Sequence, residues 1–177
     1  MKSLNRSLLI VFMLFSCVGC DQLTKNIARH SLANSEPIVF LNNFIRLQYI
    51  ENPGAFLSLG AGSSENIRFW IFTLLTGIFL AGMLVYLLLS QIHSSVKIIS
   101  LSLVAGGGIG NLIDRVFNEG RVIDFMNMGI GSLRTGIFNV ADVALSVGVA
   151  WFLVISLKDS KKKMTLRPEE REETPGL

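Results

Sequence analysis

The sequence predicts an all-α integral membrane protein: four transmembrane helices with a small outward-facing β-sheet, or flap, between spans 1 and 2. Three observations lead there. The 177 residues are 50% hydrophobic and only 16% charged, where a soluble domain carries about 25% charge. The mean hydropathy is +0.52. The apolar residues also fall in long blocks rather than at amphipathic spacing. This excludes a secreted or cytosolic soluble enzyme, and the length allows one domain.

A spanning helix needs about 20 mostly apolar residues to cross the hydrocarbon layer. Ser7–Cys20, bounded by Arg6 and Asp21, is the shortest candidate. Its basic start and its ending Val18-Gly19-Cys20 also fit a signal peptide with a lipoprotein cleavage site. Three further spans and Cys17 three positions before Cys20 argue against that alternative, a lipoprotein anchored through Cys20. The Cys17/Cys20 pair has no second C-x-x-C and no βαβ context, so the thiols are expected only to pack. Phe69–Leu89 is free of charge, Ile98–Ile113 is glycine-rich, and Ile137–Leu157 contains one acid, Asp142. The expected spans are thus approximately 7–24, 68–90, 97–114 and 137–157, within a single domain of residues 1–158.

Basic residues flank the membrane on the cytoplasmic side. Lys2 and Arg6 precede span 1, one lysine lies in the Ser90–Lys97 connector, and Lys158, Lys161, Lys162, Lys163, Arg167 and Arg171 follow span 4. Both termini are therefore expected in the cytoplasm, and the loops Asp21–Arg68 and Asp114–Gly136 outside. In the first of these, residues 36–60 combine β-formers with turn signals at Asn42-Asn43 and Asn52-Pro53-Gly54, which reads as short strands and tight turns. Arg121–Met128 offers a further strand. Residues 159–177 read as a charged, disordered cytoplasmic tail. The net charge of +3 comes from Lys161, Lys162 and Lys163, a polybasic segment suited to anionic membrane lipid. No basic helix with interleaved aromatics suggests nucleic acid.

Ionisable groups near spans mark function by default, and three outward clusters carry them. Gly106–Arg115 places Asn111 and Asp114 on one helix face. Phe138–Asp142 does the same for Asn139 and Asp142, and Val122–Phe125 brings Asp124 from the loop between. The run Gly106, Gly107, Gly108 and Gly110 does not complete a phosphate-binding loop; Gly106 and Gly110 instead form a small-x-x-x-small pair for close helix packing.

Two carboxylates in one partly desolvated site tend to share a proton. One can then activate water as a base while the other protonates the leaving group, the chemistry of an aspartic peptidase. Asp124 and Asp142 are the candidates. The alternatives are that Asp142 merely ties helices together through Arg115 or Arg134, or that Asp114 and Asp142 line the ion path of a small transporter or channel. No metal or other cofactor is expected: His30 and His93 fall on opposite sides of the membrane, and no loop has calcium-site spacing.

With these residues assembled, the sequence resembles the lipoprotein signal peptidase family, also called signal peptidase II. The resemblance runs in order through Asp21–Lys25 (DQLTK), Asn52–Phe56 (NPGAF), Gly106–Arg115 (GGGIGNLIDR), Val122–Phe125 (VIDF) and Phe138–Asp142 (FNVAD). It implies a four-span peptidase of the bacterial cytoplasmic membrane, acting at the outer face. Its substrate would be a diacylglyceryl-modified prolipoprotein, cut just before the lipidated cysteine. The catalytic pair would be Asp124 and Asp142. Asp21, Lys25, Asn52, Gly54, Gly108, Asn111, Asp114, Arg115, Asn139 and Ala141 match other characteristic positions, expected to bind substrate or support the site. Phe56 directly follows Ala55, where many members have one residue more, which bears on which ring lines the site. A monomer is expected.

Overall fold

The computed structural model describes residues 3–55, 59–90, 92 and 94–166. Four long helices carry the chain: α1 (Ser3–Leu32), α2 (Glu65–Leu89), α3 (Ser95–Phe117) and α4 (Val140–Leu166). All four are long and apolar enough to cross a membrane. Large apolar side chains such as Phe12, Phe15, Trp70, Phe79 and Leu153 point outward, as they do where lipid is the solvent.

Helix α3 is central, with half of its apolar window buried against 17% or less in the others. Its glycines explain why neighbours come so close. A Cβ on Gly107 would collide with the Ala141 carbonyl oxygen of α4, and one on Gly110 would sit 2.5 Å from Asp21 Oδ2 of α1. Gly106 meets Cys17 in the same way, so Gly106 and Gly110 form the face that receives α1, as the small-residue spacing implied.

Two expected boundaries move. α1 does not stop near Asp21 or residue 24 but continues to Leu32, because Asp21 and Lys25 pair at i,i+4 within the helix at 2.8 Å and need no water. α4 likewise runs past Lys158 to Leu166; no helix breaker occurs until Pro168, and Lys97 pairs with Asp159 at 2.5 Å. Residues 167–177 of the expected disordered tail lie outside the described residues.

Between α1 and α2 come β1 (Ile38–Phe40) and β2 (Ile45–Asn52), joined by a turn in which Leu41, Asn42 and Asn43 all have positive φ. Between α3 and α4 come β3 (Val122–Ile130) and β4 (Leu133–Arg134). The four form one antiparallel sheet in the order β1-β2-β3-β4. The further strand expected at Arg121–Met128 is β3, so the second outer loop completes the flap. Its central pairing, Ile50 opposite Asp124 and Asn52 opposite Val122, joins the two outer loops. A short π-helical stretch, Phe69–Leu75, lies in α2.

Candidate active site

Asp124 lies on β3 and Asp142 in the first turn of α4. Both line one cavity of about 570 Å³ whose walls also include Asn52, Gly54, Asn111 and Arg115. The local sequence explains each placement. Asn139 precedes α4 as its N-cap: its Oδ1 accepts the Asp142 N–H at 2.9 Å, and Asp142 Oδ2 accepts the Asn139 N–H at 3.1 Å. This is a reciprocal capping box, and it sets a carboxylate at the positive end of the helix dipole. Asn52 begins an Asx turn, accepting the Gly54 N–H at 2.9 Å. Its Nδ2 donates to Asp124 Oδ2 at 3.0 Å, diagonally across the β2–β3 ladder.

The second Asp124 oxygen accepts Asn139 Nδ2 at 2.7 Å, while Asp142 Oδ1 accepts Asn111 Nδ2 at 2.9 Å. Asn139 Nδ2 also donates to Asn111 Oδ1 at 3.1 Å. Three asparagines thus hold the two aspartates. Asp124 is 3% exposed. Burial pushes its carboxyl up to about 6, and the negative charge of Asp142 adds to the rise, against the lowering by its Asn52 and Asn139 hydrogen bonds.

Behind this face, Lys25 Nζ meets Asp21 at 2.8 Å, Asp114 at 2.9 Å and Asn111 Oδ1 at 3.0 Å. Asp114 Oδ2 accepts the Ile123 N–H at 3.0 Å, and Asp21 Oδ1 accepts the Ala141 N–H at 2.9 Å. Ala141 is wholly buried, consistent with its contact against Gly107. Gly108 lines the cavity and leaves room for Leu80, which a Cβ would meet at 2.6 Å. Arg115 does not pair with Asp142. It donates to the Gly54 carbonyl at 3.1 Å and lies 5.8 Å from the Phe72 ring centroid. Arg134 clamps the sheet through Asn127 Oδ1 at 2.5 Å and the Asn43 carbonyl at 2.8 Å. Neither arginine plays the helix-tying role weighed for Asp142.

All twelve residues singled out from the sequence converge on this end of the bundle. The acids of this site, Asp21, Asp114, Asp124 and Asp142, gather at one end rather than along a track through the helices. α1 passes unbroken through Cys17 and Cys20, both free thiols. Among the described residues, no three His, Cys, Asp or Glu side chains form a set that could hold a metal ion. Phe56 lies outside the described residues. Gln22, which donates to Asp114 at 3.0 Å, and Phe72 were missed. Gln22 sits within a matched motif and was readable there, whereas Phe72 is one apolar residue among many in its span.

The arrangement has known counterparts. Residues 13–158 match the family model described as Signal peptidase (SPase) II. The lipoprotein signal peptidase of Syntrophus aciditrophicus is 35% identical over 143 residues, covering 81% of this chain and 88% of that protein. That of Halalkalibacterium halodurans is 35% identical, covering 80% and 87% respectively. Two solved structures, each described as a bacterial membrane enzyme determined by the in meso method, are also similar. One superposes with a TM-score of 0.72 at 28% identity over 90% of this chain and 91% of the other. The second gives 0.66 at 27% identity over 88% and 94%. With its four spans, its outer sheet and a family match over most of its length, the chain belongs to the signal peptidase II family and is a multi-pass bacterial membrane peptidase.

Proposed function

We propose that this peptidase is an aspartic endopeptidase in which Asp124 and Asp142 form the catalytic dyad, and that it removes signal peptides from diacylglyceryl-modified prolipoproteins just before the lipidated cysteine. One observation carries the reading: both carboxyls face a single cavity whose wall continues along α4 through Leu145, Val149 and Leu153. From Asp142 to Leu153 that wall is about 16 Å long. A second apolar cavity of about 510 Å³ shares Val149 and Leu153 with it. A lipid-modified signal helix has the matching form, apolar along its length with its scissile bond at the polar end. Anchoring the apolar parts supplies orientation at the bond, which can lower a barrier substantially.

In this mechanism one proton is shared between the aspartates. The ionised carboxyl takes a proton from water as the water attacks the scissile carbonyl, and the protonated one gives its proton to the carbonyl oxygen. As the C–N bond breaks, the first passes the water's proton to the leaving amine and the second recovers one from the gem-diol, which restores the shared proton. Asn52, Asn111 and Asn139 hold the carboxyls in place, and the sheet excludes bulk water. Asp21, Lys25, Asp114 and Arg115 support the site, and Gly54 and Gly108 shape the cavity. The dyad faces the outer surface with both termini in the cytoplasm, the orientation favoured by the basic residues near Arg6 and after Lys158. The enzyme acts as a monomer among membrane lipids.

The test is a gel-shift cleavage assay with purified protein in detergent and a diacylglyceryl-modified prolipoprotein. Wild type cleaves; Asp124→Asn and Asp142→Asn remain folded and bind substrate without cutting it. Near-normal turnover by either variant removes that residue from the dyad. Chelators leave the activity intact, and a loss under EDTA restored by metal would contradict the mechanism.

A further inference from the structure

One buried cation stands behind both halves of the site. Lys25 is 1% exposed in α1 and does not line the dyad cavity, yet each of its three acceptors leads to an aspartate. Asp21 turns its other oxygen to the N–H of Ala141, the residue before Asp142. Asp114 holds the N–H of Ile123, the residue before Asp124. Asn111 donates its amide directly to Asp142.

We infer that Lys25 is a positioning residue for the reaction: its ammonium fixes the orientation of the Asn111 amide and ties the strand bearing Asp124 to the helix end bearing Asp142. The inference rests on the dyad reading above. The amide argument is one of donors and acceptors. Asn111 Oδ1 receives hydrogen bonds from Lys25 Nζ and Asn139 Nδ2, and an ammonium can only donate. A flipped Asn111 would set its NH2 against that ammonium and turn an oxygen towards the Asp142 carboxylate. Lys25 therefore keeps the NH2 aimed at Asp142. The other possibility is that Lys25 only neutralises two buried acids, which would stabilise the fold without bearing on turnover.

Charge gives a second handle. The Lys25 ammonium favours the ionised form of Asp124. The other charged groups around this core are Asp21 and Arg29 on α1, Asp114 and Arg115 on α3, Glu51 on β2, Arg121 beside β3 and Asp142 on α4. Removing Lys25 alone leaves Asp21 and Asp114 without their shared cation, so both changes act in one direction and oppose ionisation of Asp124.

The experiment compares Lys25→Met, Asp21→Asn and the double variant Asp21→Asn/Lys25→Met with wild type, using full-length protein in detergent and diacylglyceryl-modified prolipoprotein. The double variant removes one positive and one negative charge, so the cluster keeps its net charge, and thermal unfolding checks that it is folded. We expect its kcat to fall about 100-fold below that of Asp21→Asn, the scale of a misaligned reacting group, with KM within about threefold. In Lys25→Met, the alkaline limb of kcat/KM moves up by about half a pH unit or more. A double variant with kcat within about threefold of Asp21→Asn overturns the inference, as does an unmoved limb in folded Lys25→Met. If Lys25→Met does not fold, the kcat-against-KM split of the double variant decides alone. Asp124→Asn and Asp142→Asn run alongside. If either cleaves normally the dyad reading fails; if both are inactive while the Lys25 variants turn over normally, only the role of Lys25 fails.

Discussion

Asn139 and Asp142 cap one another: the Asn139 side-chain oxygen accepts the Asp142 N–H at 2.9 Å, and the Asp142 carboxylate accepts the Asn139 N–H at 3.1 Å. The same Asn139 amide reaches Asp124 at 2.7 Å. One residue therefore starts the last span, orients one aspartate and restrains the other.

These duties can be separated by substitution. Asn139→Ser keeps a capping oxygen but loses the NH2 that reaches Asp124, whereas Asn139→Ala loses both. Both variants are expected to lose at least about 100-fold in kcat. Thermal unfolding should rank Asn139→Ser above Asn139→Ala by about 1 kcal/mol, the usual worth of an N-cap. Equal stability of the two would mean that the cap contributes nothing.

Asp124 makes stability depend on pH with a definite sign. Its carboxyl keeps its proton to about pH 6 when folded, against 3.8 ordinarily. Between those values the native state binds more protons than the unfolded chain, so this group's contribution falls as pH rises through that window. The ceiling is about two pH units, or roughly 3 kcal/mol. Asp124→Asn removes this dependence, so its melting temperature relative to wild type should rise between pH 4 and pH 8. A constant difference would show that Asp124 ionises normally.

The same proton governs activity. Because the dyad must retain one proton, kcat/KM should decline with an apparent alkaline limb beginning near 6, the value towards which burial pushes Asp124. Bound substrate excludes more water, so the corresponding limb in kcat should lie higher. A pH–rate profile at limiting and at saturating prolipoprotein measures both, and coincident limbs would show that substrate does not desolvate Asp124.

Helix packing yields a contrast between two glycines. Gly107→Ala drives a methyl into the Ala141 carbonyl oxygen, while Gly19→Ala meets nothing within 4 Å. The first should cost about 1–3 kcal/mol of stability and displace Asp142, lowering cleavage. The second should leave both unchanged. Thermal unfolding in detergent and the cleavage assay read these outcomes.

The sequence by itself determined the four spans, their helical character and the strands of the outer loops, because hydrophobic length and turn chemistry act locally. It also marked Asp124 and Asp142, since acids beside apolar runs stand out against their neighbours. The span ends were less legible. Asp21 and Lys25 look like the exit from a membrane, yet they lie inside α1 because Asp114 and Asn111, from α3 some ninety residues later, complete their hydrogen bonds. Only the tertiary structure decided that Asn52 belongs to Asp124, that Arg115 holds Gly54 rather than Asp142, and that Lys25 reaches both aspartates through its partners. Those relationships depend on helix approach and strand register, and both arise from glycine contacts and ladder pairings between distant segments.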